Sequence, residues 1–391
     1  MTITFKSLRF DVIDERIILT GFGGMRDGAN KTNHAPLSAI HLVGGNSEAV
    51  YRTSFTGGSE SKKLRYLSHE ITVDTLRIKE ISDESEVVTE FVSYDGTNAI
   101  SVTKYIKNVS GGVLKIENAA TLVLNGIGCG IDKTDETYFY KFVQSHHSEC
   151  QPRRFSLFDY GFFRSYARNF KKLSHANIGS WSTKEELPQG LVENGETSEF
   201  LMFQIESNHN WYYEISADGD DFYLALSGNS SPSHRYVRRL EPNETYTTAR
   251  VAFCYGKDLN ETLGQMTKYR RHIAGHCLAD ENLPVIFNEY MHLSWDSPSE
   301  EKTKRYARAV AAAGAEYYVI DCGWHDDVDD GVWVYPYMGA WKESGKRFPN
   351  GIRKTTDYIR SLGMKAGLWI EPEIVGIKCD EMLRFYDDDC F

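Results

Sequence analysis

Two short apolar runs in the carboxyl-terminal third each give way to residues equipped for chemistry. One is Tyr-Tyr-Val-Ile-Asp-Cys-Gly-Trp, residues 317 to 324; the other is Met-Lys-Ala-Gly-Leu-Trp-Ile-Glu-Pro-Glu, residues 364 to 373. Asp321 and Glu371 stand where the apolar character stops, each with an indole close by. Each run follows a helical pattern, so the local order is helix, strand, loop, helix, strand. That order predicts parallel strands joined by crossover helices, and in such sheets the carboxyl ends of the strands face the ligand. The two carboxylates therefore fall where a ligand binds.

The elements that must position them are legible from their punctuation. Val285-Ile286-Phe287-Asn288 is a short buried strand, and Ser297-Pro298-Ser299-Glu300 is a capping box with proline at the first helical position. The next helix places Tyr306, Ala309, Val310 and Ala313 on one face and stops at Gly314, which can take the left-handed cap conformation. After the strand to Asp321, a long aromatic and acidic loop from Gly323 to Pro349 leads to a second helix over about 351 to 362, ended by Gly363. A third helix is expected near Asp380.

Upstream the pattern changes. Residues 1–256 read as β structure almost throughout: Leu114 and Ile116 alternate with Lys115 and Glu117, and Val251, Phe253 and Tyr255 with Arg250 and Cys254. Period-2 runs belong to half-buried antiparallel strands. Turn signals such as Asp95-Gly96, Asn125-Gly126, Asn194-Gly195 and Asp218-Gly219 divide them at short intervals. So many short strands imply a large sandwich of two packed sheets. From Asp258, Leu259, Leu263, Met266 and Ile273 share one helical stripe, with Asp258 and Glu261 as its cap, giving a linker helix within residues 257–283. The fold class is thus β followed by α/β: a large antiparallel sandwich, a linker helix, and an α/β region over 284–391.

Composition excludes several classes. A hydrophobic share of 41% and a charged share of 25% suit a globular protein, and 391 residues call for two domains. The net charge of −11 argues against a nucleic-acid partner. One run opposes it, from Arg153 to Lys172, where Arg154, Arg164 and Arg168 alternate with Phe158, Tyr160, Phe163 and Tyr166; it reads as a surface segment or subunit contact. The seven cysteines are widely spaced without a Cys-x-x-Cys pair, so neither a disulfide framework nor a zinc site is expected and a cytoplasmic location fits. No signal peptide or membrane span is expected. Asp326, Asp327, Asp329 and Asp330 look like a calcium loop but lack its closing glutamate, and read as a solvated loop. His146-His147 and the pair His272 and His276 read as surface residues. No metal and no cofactor is called for. The clusters Gly21–Gly24 and Gly126–Gly130 read as turns, since neither opens a helix after a strand.

Four pieces, in order and correctly spaced, carry a family resemblance: Phe287-Asn288; Val319-Ile320-Asp321-Cys322-Gly323-Trp324; Phe348-Pro349-Asn350-Gly351; and Gly363-Met364-Lys365-Ala366-Gly367-Leu368-Trp369-Ile370-Glu371-Pro372-Glu373. Residues 284–391 resemble the start of the catalytic (β/α)8 barrel of glycoside hydrolase family 36, the α-galactosidases or melibiases. More weakly, through Phe203-Gln204-Ile205-Glu206, Trp211 and Glu214-Ile215, residues 1–256 resemble that family's amino-terminal sandwich, a galactose-mutarotase-like supersandwich.

The resemblance implies retaining hydrolysis of terminal α-galactosides, in which one carboxylate attacks the anomeric carbon and a second protonates the leaving oxygen. In the family both are aspartates on later barrel strands, the nucleophile in a Lys-Trp-Asp type motif that does not occur in this chain. A full barrel takes ~250 residues, so residues 284–391 hold roughly the first three units, incomplete at the carboxyl terminus, and the chain alone is expected to be inactive. The substrate-binding residues implied are Asp321, whose counterpart accepts hydrogen bonds from galactose hydroxyls, and Trp341, whose counterpart lines the pocket. Glu371 joins them from its strand end, although it and Glu373 flank Pro372 and could instead only hold that end. Cys322 and Ala340 stand where many members carry aspartate. The partner implied is an α-galactoside oligosaccharide, with a homo-oligomer as assembly; the alternative is a non-catalytic carbohydrate-binding or assembly module. An unclosed barrel would also leave the strand at 364 to 370 with an apolar edge uncovered.

Overall fold

The computed structural model describes residues 1–26, 29, 35–45, 55–163, 171–275, 277–325, 327–329, 331–372 and 374–383. They form two compact units, Met1–Ala274 and Gly275–Phe391. Of the residues singled out in the sequence, Arg164, Tyr166, Arg168, His276, Asp326, Asp330 and Glu373 lie outside the described residues.

The first unit is antiparallel β structure. Its largest sheet runs, in spatial order, through Gln151–Ser156, Thr137–Val143, Glu186–Asn194, Glu199–Glu206, Arg250–Gly256, Ile100–Asn108, Ser85–Ser93, Thr75–Ile81 and Arg65–Ile71, with Thr245–Thr247 also paired to Ile100–Asn108. A second sheet orders Leu122–Ile127, Asp221–Ser227, Trp211–Asp218 and Lys172–Asn177. One core joins them: Phe91, Val102, Phe139, Phe203 and Phe253 of the large sheet share a cluster with Trp211, Tyr213, Ile215, Phe222 and Leu224 of the small one. Alternation is clean where one face meets water, as in Ser85–Ser93, whose buried residues alternate with half-buried ones. It vanishes in Trp211–Asp218, buried at all but its last residue. There Tyr212 faces a separate cluster with Phe55, Ala120 and Tyr223, so both faces are covered and the strand reads as one apolar run.

Arg250–Gly256 departs from the sequence expectation in the same way. Cys254, assigned to the polar face, is buried because helix Leu259–Ile273 lies over it, with Met266 and Tyr269 in one cluster with Met202 and Cys254. That helix is capped as its sequence predicts, Asp258 accepting the Glu261 N–H at 2.8 Å.

In the second unit three short strands, Ile286–Asn288, Tyr317–Ile320 and Lys365–Leu368, pair in parallel, with Phe287 opposite Tyr318 and Tyr318 opposite Ala366. The crossovers carry helices Glu300–Ala312 and Ile352–Ser361. Ser299 caps the first through the Lys302 N–H, and Gly314 and Gly363 come after the two helices at φ +89° and +88°. Ala307, Val310, Tyr318, Ile320, Phe348, Ile359 and Met364 form the core between helices and sheet. Ile286, Leu368 and Ile370 stay exposed. No helix among the described residues is long and apolar enough to cross a membrane.

Candidate ligand site at the ends of the parallel strands

The chain order of the second unit brings the carboxyl ends of the strands Ile286–Asn288 and Tyr317–Ile320 side by side, and the residues just beyond each strand make the site. An open hollow of about 480 Å³ lies there, lined by Phe287, Asn288, Tyr290, Met291, Leu293, Asp321, Tyr335 and Trp369. Asp321 is 7% exposed. Its Oδ1 accepts the N–H of Cys322 at 2.7 Å and its Oδ2 accepts the side-chain amide of Asn288. Asn288 is itself oriented, because its Oδ1 accepts the Tyr290 N–H at 2.8 Å. A carboxylate offers about four acceptor directions, so two remain for donors in the hollow.

Glu289, between Asn288 and Tyr290, turns the other way. It is fully buried and accepts from the Tyr318 hydroxyl at 2.6 Å and from the Thr303 hydroxyl at 3.1 and 3.2 Å. Burial pushes its carboxyl up to about 7; the two hydroxyls pull it back and the charge of Asp321 adds to the rise. Burial also raises the Cys322 thiol to about 12, with Asp321, Asp296 and Glu371 contributing, so this sulfur is a neutral packing group in the cluster with Val328, Val334 and Met338 rather than a nucleophile.

Trp341 is not among the lining residues. Its ring packs against His325 at 4.7 Å, Trp369 at 5.9 Å and Trp324 at 6.4 Å, one ring behind the wall that Trp369 makes. Glu371 is half-buried near Cys322 and Tyr335, whose hydroxyl it helps to raise, and does not line the hollow. Trp324, read as packing, is buried and donates its indole N–H to the Trp369 carbonyl at 2.8 Å. Trp369, also read as packing, lines the hollow. Asn288, Tyr290, Tyr335 and Trp369 line the hollow although sequence reasoning assigned them no binding role; Asn288, Tyr290 and Trp369 stand at or just beyond strand ends, which was the available signal, whereas Tyr335 comes from the loop between Ile320 and helix Ile352–Ser361.

The other candidates resolve into internal ties. Asp327 accepts from the Ser344 hydroxyl and the Lys346 N–H, and Asp329 pairs with Lys346 at 2.9 Å, so these acids brace their own loop. Arg154, from the basic run, holds Glu193 through two nitrogens. His272 meets the Asp95 carbonyl at 2.8 Å. A groove of about 750 Å³ on the first unit is lined by Gln189, Gln204, Glu206, Arg250 and Arg270, but these bond one another: Arg270 donates to both glutamines and Arg250 to Glu206. The hollow at Asp321 thus combines an oriented acceptor with aromatic walls, a set that binds a neutral polyol: hydroxyls to the carboxylate, C–H faces to the rings.

An antiparallel sandwich followed by a parallel βα unit with an acid at its strand end is an arrangement that comparison with known proteins also finds. The melibiase family model matches residues 245–389. The chain is 30% identical over 155 residues to α-galactosidase AgaA of Geobacillus stearothermophilus, 39% of this chain and 20% of that protein. It is 28% identical over 225 residues to α-galactosidase Mel36A of Lactobacillus acidophilus, 53% of this chain and 30% of that one. The crystal structure of AgaA superposes with a TM-score of 0.76 at 17% identity, covering 99% of this chain and 58% of that one, and variants of AgaA have been solved with stachyose and with raffinose. The chain thus resembles the melibiase family in sequence over residues 245–389 and shares the fold of a solved α-galactosidase over nearly its whole length. It spans less than two thirds of the length of these relatives.

Proposed function

We propose that the parallel sheet is the opening portion of a (β/α)8 barrel and that the hollow at Asp321 receives the terminal galactosyl unit of an α-galactoside oligosaccharide, for retaining hydrolysis by the whole protein. One observation carries the reading: Asp321, just after the central parallel strand, is held by Asn288 and Cys322 while it lines a hollow walled by Tyr290, Tyr335 and Trp369. Trp341 supports that wall from behind, and Glu371, from the neighbouring strand end, bears on the pocket only through the charge it places near Tyr335. No residue of 1–391 is assigned as nucleophile or general acid; the chemistry needs two carboxylates about 5 Å apart, and in this reading both sit on later barrel strands. Residues 1–256 are then the sandwich domain and 257–283 its linker. Free cysteines such as Cys129, Cys254 and Cys322 support a cytoplasmic location, and homo-oligomeric assembly rests on family resemblance.

The test is calorimetric titration of the chain with galactose, glucose and raffinose, beside an assay of nitrophenol release from nitrophenyl α-galactoside. Binding of galactose and raffinose but not glucose, without turnover, is expected. Absence of galactose binding would remove the hollow as a sugar site, and turnover would overturn the placement of the catalytic pair.

A further inference from the structure

Trp333 is 65% exposed, yet it is not a loose side chain. It is flanked by Val334, fully buried in a cluster with Cys322, Val328 and Met338. The turn is tied down on both sides. Val332 N–H bonds the Asp329 carbonyl at 3.1 Å, Tyr337 N–H bonds the Val334 carbonyl at 2.9 Å, and Lys378 N–H reaches the Pro336 carbonyl at 2.7 Å. A bound backbone thus holds a large indole out in water, where its apolar area gains nothing.

Its neighbours give the direction. The Trp333 ring lies 5.4 Å from that of Tyr335, tilted by 34°. Tyr335 lines the hollow and in turn meets Trp369, another lining residue, at 6.5 Å and 63°. The aromatic wall therefore continues outward by one ring beyond the hollow, from Trp369 through Tyr335 to Trp333. Inside the hollow these rings stand beside an oriented carboxylate; at Trp333 the ring stands out beside exposed Val332. That is the chemistry for the C–H face of a sugar held by stacking alone.

We propose that Trp333 is the platform for the second sugar of an α-galactoside oligosaccharide, the unit attached to the galactosyl group in the hollow, and so a determinant of preference for oligosaccharide over free galactose. The inference rests on the reading of the hollow as a galactosyl site. A platform outside the first sugar adds affinity only to ligands long enough to reach it, so its loss leaves galactose binding unchanged.

The test compares the chain with Trp333→Ala and Trp333→Phe by titration with galactose and with raffinose, circular dichroism confirming that an exposed substitution leaves the fold intact. Raffinose is expected to bind the unaltered chain more tightly than galactose, and Trp333→Ala to lose about tenfold in raffinose affinity with galactose unchanged. Trp333→Phe keeps most of the raffinose affinity. If the unaltered chain binds neither sugar, the reading of the hollow falls and the platform with it. If it binds galactose but Trp333→Ala leaves raffinose unaffected, or weakens both sugars equally, the platform alone is refuted.

Discussion

Asn288 and Asp321 meet across the first two parallel strands: the amide of one donates to Oδ2 of the other, while Oδ1 takes the N–H of Cys322. Asn288 closes its ladder opposite Val319, and Asp321 comes directly after Ile320, which closes its own opposite Leu368, so the register of the sheet itself brings the two together. The carboxylate is held from two sides before any ligand arrives. Preorganisation of this kind removes the entropy of orienting the acceptor from the binding step.

Replacing Asp321 by Asn keeps the shape and removes the charge. A hydrogen bond to a charged group contributes about 1.5–3 kcal/mol, so Asp321→Asn should weaken galactose binding by roughly 10- to 100-fold. Titration of the folded variant reads this directly. An unchanged affinity would take Asp321 out of the site.

Glu289 predicts a pH dependence of stability. Its folded-state pKa of about 7 lies above its unfolded value of about 4.3. The folded chain therefore keeps a proton that the unfolded chain releases, and its stability is full below about pH 4 and is lost as pH rises through 7. The loss is on the order of 3 kcal/mol. The groups that face it are the hydroxyls of Tyr318 and Thr303, the carboxylate of Asp321 and, at longer range, Lys302. Glu289→Gln mimics the neutral form, so its urea midpoint should be nearly level between pH 5 and pH 8 where that of the unaltered chain falls. Tryptophan fluorescence weights this unit, which holds five of the seven tryptophans, Trp295, Trp324, Trp333, Trp341 and Trp369. Parallel slopes for the two proteins would show that Glu289 is ionised throughout.

The difference between Asp321 and Glu289 marks what the sequence discloses. Caps and stops are local, and Asp258, Ser299, Gly314 and Gly363 act where their neighbours predict. A carboxylate at a strand end is visible in the same way. Which of two adjacent residues turns into the hollow and which into the core depends on Tyr318 and Thr303, which lie 29 and 14 positions from Glu289, so nothing near Glu289 announces a buried acid. Trp369 is a parallel case: an indole at the end of an apolar strand reads as packing until Tyr335 arrives from the preceding loop to form the wall beside it. In the first unit, turns were readable but strand order was not, because Glu199–Glu206 pairs with Arg250–Gly256 across some forty intervening residues.

Lys104 and Glu80 test the interior of the sandwich. Lys104 is fully buried and donates to the Leu37 carbonyl at 2.9 Å; burial lowers its pKa to about 8 and the charge of Glu80 partly restores it. Glu80, 4% exposed, accepts from the Ser38 hydroxyl, and burial raises its pKa. Removing one member of such a set leaves the other charge uncompensated, at a cost of about 3–5 kcal/mol. Glu80→Gln should therefore be strongly destabilising, and Glu80→Gln with Lys104→Met markedly less so than the sum of the single changes. Additive losses across the four proteins in urea would show that the two charges do not interact.

Gly323 and Gly314 separate two reasons for needing glycine. Both adopt positive φ, +92° and +89°, where an added side chain costs roughly 1–2 kcal/mol. Around Gly314 there is open space, whereas a Cβ on Gly323 would stand 2.1 Å from the Asp296 carbonyl oxygen, inside any possible contact. Gly323 also offers its own carbonyl to Arg347 at 2.7 Å, which fixes the turn two residues after Asp321. Gly314→Ala should then lower the stability of this unit by the conformational cost alone and leave galactose affinity intact. Gly323→Ala must move either Asp296 or its own strand end, so it should cost about 3 kcal/mol or more and weaken galactose binding through displacement of Asp321. Urea midpoints followed by tryptophan fluorescence, with titration of each variant, distinguish the two. Equal losses at both positions would mean that the turn after Asp321 yields freely and does not hold the carboxylate in place.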